Sequence, residues 1–578
     1  MWTRVLEVDL GAKSFRFLQE EELFHRTMGG TGAAGALLAR HLDPAADPLG
    51  PENVLVLAIG PFSNVLPVAT KTAAMFKSPH TGHPGESHAG GRLALALYNA
   101  GLGALVVKGA AAEPVVLDIF DDRVDFRPAG SIWGLSAAAT ERVLRGREWT
   151  GPGKRSIVRI GPAGERLSTY AGAAVDTQRH FGRLGMGAVM GSKRLKALVV
   201  GGSRWLPVPD KKRYRRLYDG LFDRVVSSGE MAKYHDLGTA VNVARLDRIM
   251  GLPTRNFSQG SFEGARRISG EAFGDDYLDQ QIACAHCQCG CIHMASLREQ
   301  FHREHGFKTA RVSYDFELIY ALGSNLSIDD PRAILRLLHQ VEKEGWDAMS
   351  LGVTLAWATE AFLAGAITTG ATGGLVLRFG DAEGYLEILR RMATGAGEFY
   401  ADLERGAAWC GRKYGCPEFA MTFGGNEAPG YLTGENAFTD WLVGVRHSHL
   451  DGAGYALDQK LLEKESSLAE QAAALAAEAR FRMTLNSLMI CLFARNLYTR
   501  EVILEGLDLL WRPCTEVDLD SFNRETLKRK YELKRACGWS PGDLELPGKL
   551  DRMVAATGPV DPGRIRQRAA LYWREVGL

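Results

Sequence analysis

Cys284-Ala-His-Cys287-Gln-Cys289-Gly-Cys291 places four thiols in eight residues of a chain that has nine cysteines in 578. Cys284, Cys287 and Cys291 stand in C-x2-C-x3-C spacing, which sets three soft ligands on one loop able to wrap a metal or an iron–sulfur cluster. A cubane cluster takes four thiolates. The isolated Cys491, inside the hydrophobic run Leu488-Met-Ile-Cys-Leu-Phe493, is the natural fourth. The same thiols with His286 or His293 as nitrogen ligands also describe a structural zinc site. A redox dithiol or inert core cysteines complete the alternatives. Cys289 is surplus to a four-ligand cluster, and Cys410, Cys416, Cys514 and Cys537 read as ordinary buried or free thiols.

Upstream of this loop the sequence is rich in strand signals. Val5–Leu10, Val54–Ile59, Ala104–Lys108, Val115–Phe120, Ile157–Ile160 and Ala197–Val200 carry β-branched runs bounded by Gly, Pro or Asp. From about residue 206 the pattern turns helical. Asp330-Pro331 caps a helix with Ile334, Leu337, Leu338 and Val341 at helical spacing, stopped by Gly345, and Asp347 opens the next. Leu461–Leu497 is Ala- and Leu-rich and reads as a helix with Cys491 in its last turns. No repeat of 20–50 residues is visible, which argues against a solenoid.

A chain this long implies about two to four domains. With 46% hydrophobic and 24% charged residues and a net charge of +1, nothing points to nucleic acid or an acidic membrane surface. No apolar run reaches the ~20 residues needed to span a bilayer. No apolar signal core opens the chain, and clustered thiols belong in a reducing compartment, so a cytoplasmic protein is expected.

Of the 66 glycines, 26 fall in the first 200 residues, a density slightly above that of the rest of the chain. Gly30-Thr-Gly32-Ala-Ala-Gly35 matches a dinucleotide fingerprint, but the preceding Glu20–Phe24 reads as helix where that motif requires a strand. Two further loops run from Lys77 through Gly82 to Gly90-Gly91, and from Arg179 through Gly187 to Lys193. Exposed amides beside Lys and Arg suit phosphate groups; plain turn chemistry accounts for any one loop taken singly.

Together these residues carry a resemblance. Ile160-Gly-Pro-Ala-Gly-Glu165, Gly182-Arg-Leu-Gly-Met-Gly through Ala197, Lys77-Ser-Pro-His-Thr-Gly82 with Gly90-Gly91, and the cysteine set with its late Cys491 resemble the tungsten-containing aldehyde:ferredoxin oxidoreductase family over nearly the whole chain. The resemblance implies an α+β fold: a β-rich N-terminal base domain (1–205) under the pterins, then two mainly helical domains (206–410 and 411–578). It implies two pyranopterins holding tungsten, with molybdenum as the alternative metal, their phosphates bridged by Mg²⁺. Lys71, Lys77, His88, Gly90, Gly91, Gly182, Arg183 and Gly185 then line the cofactor, and Cys284, Cys287, Cys291 and Cys491 hold a [4Fe–4S] cluster.

In the family, motifs of the form Asp-x-x-Gly-Leu-Asp and Asp-x-x-Gly-Leu-Cys accept from pterin amino groups. Here the first reads Glu342-Lys-Glu-Gly-Trp-Asp347, keeping both carboxylates, and the second Asn486-Ser-Leu-Met-Ile-Cys491, where a neutral amide replaces the leading acid. Without the resemblance, Glu342 reads as a solvated helix face and Asp347 as a helix cap.

Glu317 and His449 match the family's active-site glutamate and histidine, suited to deprotonate water and to hydrogen-bond a carbonyl oxygen. Arg446 and His447 alongside suggest a polar pocket with a hold on an anionic substrate group. The expected activity is oxidation of an aldehyde to a carboxylic acid, with electrons leaving through the cluster to ferredoxin or an iron–sulfur partner subunit; a homodimer is the default assembly. The competing readings are a relative that reduces an aromatic acyl-CoA, an electron-transfer subunit without tungsten, and a zinc-stabilised interaction protein.

Overall fold

In a computed structural model, residues 2–578 are described apart from 147–154 and the single positions 177, 206, 303, 305 and 543. The chain divides into two compact units, each assembled from several stretches of sequence. One comprises residues up to 235 with 283–290 and 480–539; the other comprises 236–282, 291–479 and 540–578.

The first unit is built on two six-stranded sheets. The strands of the first are β1 (Arg4–Asp9), β2 (Ser14–Gln19), β3 (Leu55–Ala58), β4 (Thr72–Lys77), β5 (Pro84–Ala89) and β6 (Ala104–Lys108). Those of the second are β7 (Val115–Phe120), β8 (Arg123–Pro128), β9 (Ser156–Arg159), β10 (Ala173–Val175), β11 (Arg179–Phe181) and β12 (Leu195–Gly201). All six strand signals in the sequence fall on strands, and the central ones are buried on both faces, which is why they read as unbroken apolar runs.

The sheets share one topology. Their orders are β2-β1-β6-β3-β4-β5 and β8-β7-β12-β9-β10-β11, so adding six to each strand number converts one into the other. In each, the first and last strands in sequence (β1 with β6, β7 with β12) run parallel and every other pairing is antiparallel. The glycine loops occupy equivalent places in this repeat. Gly90-Gly91 follows β5 and leads into helix Leu93–Asn99; Gly182 to Gly185 follows β11 and leads into helix Met186–Ser192.

Helix Gly30–His41 follows helix Glu21–Thr27, so the glycine fingerprint lacks its strand. Its glycines serve packing. A side chain on Gly30 or Gly60 would collide with the Ser487 carbonyl, and the Gly32 amide donates to Ser487 Oγ at 3.1 Å. That serine ends helix Leu468–Ser487. Cys491 lies beyond this helix in extended backbone (φ −65°, ψ 128°), not in its last turns. The helix stops because Met489 takes a left-handed conformation (φ +60°) and the Ile490 amide closes on Leu485 O at 2.9 Å.

The second unit is mainly helical, with one three-stranded sheet of β13 (Leu278–Ile282), β14 (Ile292–His302) and β15 (Gly306–Tyr314). The cysteine loop is the connection between β13 and β14. Helix Pro331–Glu344 carries the expected Asp330 cap, and Gly345 ends it at φ +85° with the Trp346 amide on Val341 O. This is the same helix ending that Met489 makes, at the same place in the two related motifs. Among the described residues no helix is long and apolar enough to cross a membrane.

Met489 is fully buried, so its burial, about 1.5–3 kcal/mol, offsets a left-handed backbone costing roughly 1–2 kcal/mol. Met489→Gly relieves the backbone and Met489→Ala does not. Both variants lose stability, and the alanine variant unfolds at lower denaturant, by about 1 kcal/mol; the opposite ranking would show that the backbone there is unstrained.

Candidate active site and cofactor-binding loops

In the first unit, Val68 joins the two cysteine-bearing segments. Its amide donates to His286 O at 2.9 Å and its carbonyl accepts from the Cys491 amide at 3.0 Å. Residues some two hundred positions apart in sequence thus meet at one residue. The Ala285 amide donates to Gly91 O at 2.9 Å, which ties the cysteine loop to the first glycine loop. A methyl group on Gly90 would lie 2.6 Å from Cys284 Sγ and 3.4 Å from Lys71 Nζ, so only glycine lets this backbone approach the thiol. The Lys71 amide donates to Met489 O at 3.3 Å.

Cys284, Cys287, Cys291 and Cys491 are half-buried, whereas Cys289 is buried. Cys291 follows the loop directly and belongs to the second unit. Among the described residues no three His, Cys, Asp or Glu side chains are placed to hold a single metal ion; a four-iron cluster needs a wider set, because iron and sulfide stand between its thiolates. Burial holds the His286 imidazole below its usual range.

The other expected cofactor residues divide. Lys77 is a strut: its buried ammonium donates to Pro44 O at 2.6 Å and Ala46 O at 2.8 Å, which corrects its expected place on a phosphate. The loop after it is fixed to the second glycine loop, since Ser78 Oγ donates to Leu184 O at 2.7 Å and Gly185 (φ +87°) backs onto Pro79. Gly182 and Arg183 are half-buried there. His88 Nε2 lies 2.9 Å from Glu86 Oε1, and the other Glu86 oxygen lies 2.6 Å from the buried Lys530 ammonium. The same ring nitrogen lies 3.1 Å from Thr31 Oγ1. Asn486 is 1% exposed, and among the described residues its Nδ2 has no hydrogen-bond partner. A buried donor without an acceptor costs about 1–3 kcal/mol. A polar cofactor edge fits that donor, glycine loops next to basic side chains fit phosphates, and the half-buried thiols fit an iron–sulfur cluster.

In the second unit, Glu317 sits at the start of helix Phe316–Leu322, which Asp315 caps. Its Oε2 accepts from the Gly430 amide at 3.0 Å, and its Oε1 lies 3.6 Å from His449 Nε2. Tyr431 and Tyr455 stack at 4.2 Å between centroids, and both rings pack against the His449 imidazole. No residue pattern signals this aromatic wall. It replaces the polar pocket expected from Arg446 and His447.

Arg446 faces inward. Its Nε donates to Asp451 Oδ1 at 2.9 Å and its Nη2 to Leu450 O at 2.9 Å, while Asp451 Oδ2 accepts from the amides of Arg446 and Ser448. His447 Nδ1 donates to Trp441 O at 2.7 Å. These bonds fix the loop that presents His449. Asp347 caps helix Ala348–Leu363, accepting from the Met349 amide at 3.0 Å and from Ser350 Oγ at 2.6 Å. Glu342 is half-buried.

Gly90→Val drives a side chain into the Cys284 thiol and lowers bound iron in the anaerobically purified protein, measured per chain; an unchanged iron content would show that this approach is unimportant. Asp451→Ala strands a buried guanidinium and costs about 3–5 kcal/mol. Chemical denaturation checks it, with a loss under about 1 kcal/mol as the contrary result.

The chain matches the family model for the aldehyde ferredoxin oxidoreductase N-terminal domain over residues 5–202, and that for domains 2 and 3 over 220–556. It is 36% identical over 437 residues to the tungsten-containing aldehyde ferredoxin oxidoreductase of Thermococcus kodakarensis, covering 74% of this chain and 70% of the relative. The enzyme of that name from Pyrococcus furiosus is 35% identical with the same coverage. Another Pyrococcus furiosus protein, an aliphatic sulfonate oxidoreductase, WOR-like subunit, is 28% identical over 69% of this chain and 65% of its own length. The solved active site complex BamBC of benzoyl coenzyme A reductase, in complex with 1,5 dienoyl-CoA, shares the fold at a TM-score of 0.85 and 19% identity, covering all of this chain and 94% of that one. By the extent of these matches, the chain belongs to the tungsten-containing aldehyde ferredoxin oxidoreductase family of oxidoreductases.

Proposed function

We propose that this protein oxidises aldehydes to carboxylic acids in the cytoplasm and passes the electrons singly to ferredoxin or an iron–sulfur partner subunit. The observation that carries this reading is the Glu317–His449 pair, 3.6 Å apart and anchored on both sides. The twin glycine loops would hold the phosphates of two pterins with Mg²⁺, with Gly90, Gly91, Gly182, Arg183 and Gly185 as backbone and Lys71 and His88 as cationic or donor groups. Glu342, Asp347 and Asn486 would meet the pterin edges. Cys284, Cys287, Cys291 and Cys491 would hold a [4Fe–4S] cluster. When bound, the tungsten–pterin centre supplies two-electron redox chemistry and the cluster supplies one-electron transfer.

Aldehyde and water become carboxylic acid with loss of two electrons and two protons. Glu317 Oε1 takes a proton from the attacking water, and a His449 ring N–H donates to the carbonyl oxygen as charge develops there. The Gly430 amide on Glu317 Oε2 and the tyrosines on His449 hold both groups in place. Arg446 is committed to Asp451, which leaves an uncharged substrate as the better fit.

The aromatic wall of Tyr431 and Tyr455 supports a second reading, a relative that reduces an aromatic acyl-CoA. One screen separates the readings. The anaerobic protein is expected to hold tungsten with about four irons per chain and to reduce a viologen dye with aldehydes. Glu317→Gln should lower kcat about 10²–10⁴-fold with metal content unchanged. Silence towards both aliphatic and aromatic aldehydes in the fully loaded protein would favour the second reading, and zinc alone would overturn both.

A further inference from the structure

Helix Gly229–Asp236 makes four contacts with the two cysteine-bearing segments of the first unit. Cys289 Sγ donates to Met231 O at 3.7 Å. His235 Nδ1 lies 2.9 Å from Cys289 O and, facing a carbonyl, must be the donor. Farther along, Glu230 accepts from Asn496 Nδ2 with both oxygens at 3.0 Å. Tyr234 stacks on Phe493 with centroids 4.1 Å apart and planes within 13°. Met231 and His235 therefore grip the 283–290 loop, while Glu230 and Tyr234 grip the segment just after Cys491.

We infer that helix Gly229–Asp236 is a clasp holding the two cysteine segments in register for an iron–sulfur cluster, with Cys289 as a tether of the loop rather than a cluster ligand. This rests on the cluster reading above. Cys289 is 4% exposed, whereas the four thiols of the expected ligand set are half-buried. With the Ala285 amide on Gly91 O and the His286 carbonyl on Val68, the loop is pinned at residues 285, 286 and 289. Such a loop holds its thiolates where they must bind, so a cluster leaves only when a tether opens first. His235 and Cys289 are positioning residues; neither touches substrate.

The test uses anaerobic, fully loaded protein with three readouts: iron per chain, the electron paramagnetic resonance signal of the reduced cluster, and the rate of iron release to a chelator. Cys289→Ala and His235→Ala are expected to keep the parental iron content and the four-iron signal while releasing iron about fivefold faster, the factor that one net hydrogen bond carries. Cys289→Ser, which retains a donor for Met231 O, should release iron close to the parental rate. Cys514→Ala, a thiol remote from the clasp in sequence, serves as the control. A three-iron signal or lost iron in Cys289→Ala, with iron retained in Cys289→Ser, would make position 289 a ligand and overturn the inference. Parental release rates in both the Cys289→Ala and His235→Ala variants would also overturn it. If Cys289→Ala does not fold, His235→Ala and Cys289→Ser decide between these outcomes. Parental protein without iron would instead remove the cluster reading itself.

Discussion

Val68 holds a left-handed backbone, φ +55°, that a β-branched side chain strongly resists. It keeps that conformation because both of its backbone polar groups are bonded, one to the cysteine loop and one to the Cys491 segment. The segments it joins carry more left-handed residues, His286 at +57° and Gly290 at +64° on the cysteine loop and Met489 at +60° before Cys491. Strain of this kind costs about 1–3 kcal/mol per non-glycine residue and persists only where the surroundings over-determine it. Burial of the Val68 and Met489 side chains offsets it here. The consequence is that loops distant in sequence present half-buried thiols from a backbone with little freedom to move.

The repeated sheet explains why the glycine loops come as a pair. Each sheet ends its fifth strand in a glycine turn that opens a short helix, and the strands before those turns, β5 and β11, pack beside one another. Two copies of one glycine turn therefore arise from one topology used twice. They suit a cofactor of two similar halves better than they suit two unrelated ligands. The copies also differ chemically. His88, before the first turn, is tied to a buried Glu86–Lys530 pair, whereas the second turn carries Arg183.

Much of this was legible in the sequence, and the rest was not for physical reasons. The buried central strands announced themselves through β-branched runs, and Asp330 and Gly345 marked their helix as caps should. Strands such as β5 (Pro-Gly-Glu-Ser-His-Ala) and β11 (Arg-His-Phe) were missed, because short strands rich in small or polar residues leave no period to read. The repeat was invisible for the same reason: it is conserved as strand order, not as spacing of residue types. Val68 and Met489 carried no signal, since neither side chain announces a left-handed backbone. Arg446 misled because a charged residue beside a candidate catalytic histidine reads as a substrate contact, when its partner Asp451 lies only five residues on.

The Arg446–Asp451 pair shows how the second unit fixes its chemistry by other means. Both groups are almost wholly buried, and a buried ion pair contributes little net stability over a well-packed apolar pair. An apolar pair could fill the same volume. It could not, however, accept from the amides of residues 446 and 448 through a single oxygen, as Asp451 does, while that aspartate's other oxygen holds the arginine. The ion pair therefore acts on backbone direction: it closes the turn on which the His449 imidazole stands opposite Glu317. A displacement of about 1 Å at such a pair can cost a hundredfold in rate. Geometry at the Glu317–His449 pair, rather than stability, is then what buried charge supplies at this position.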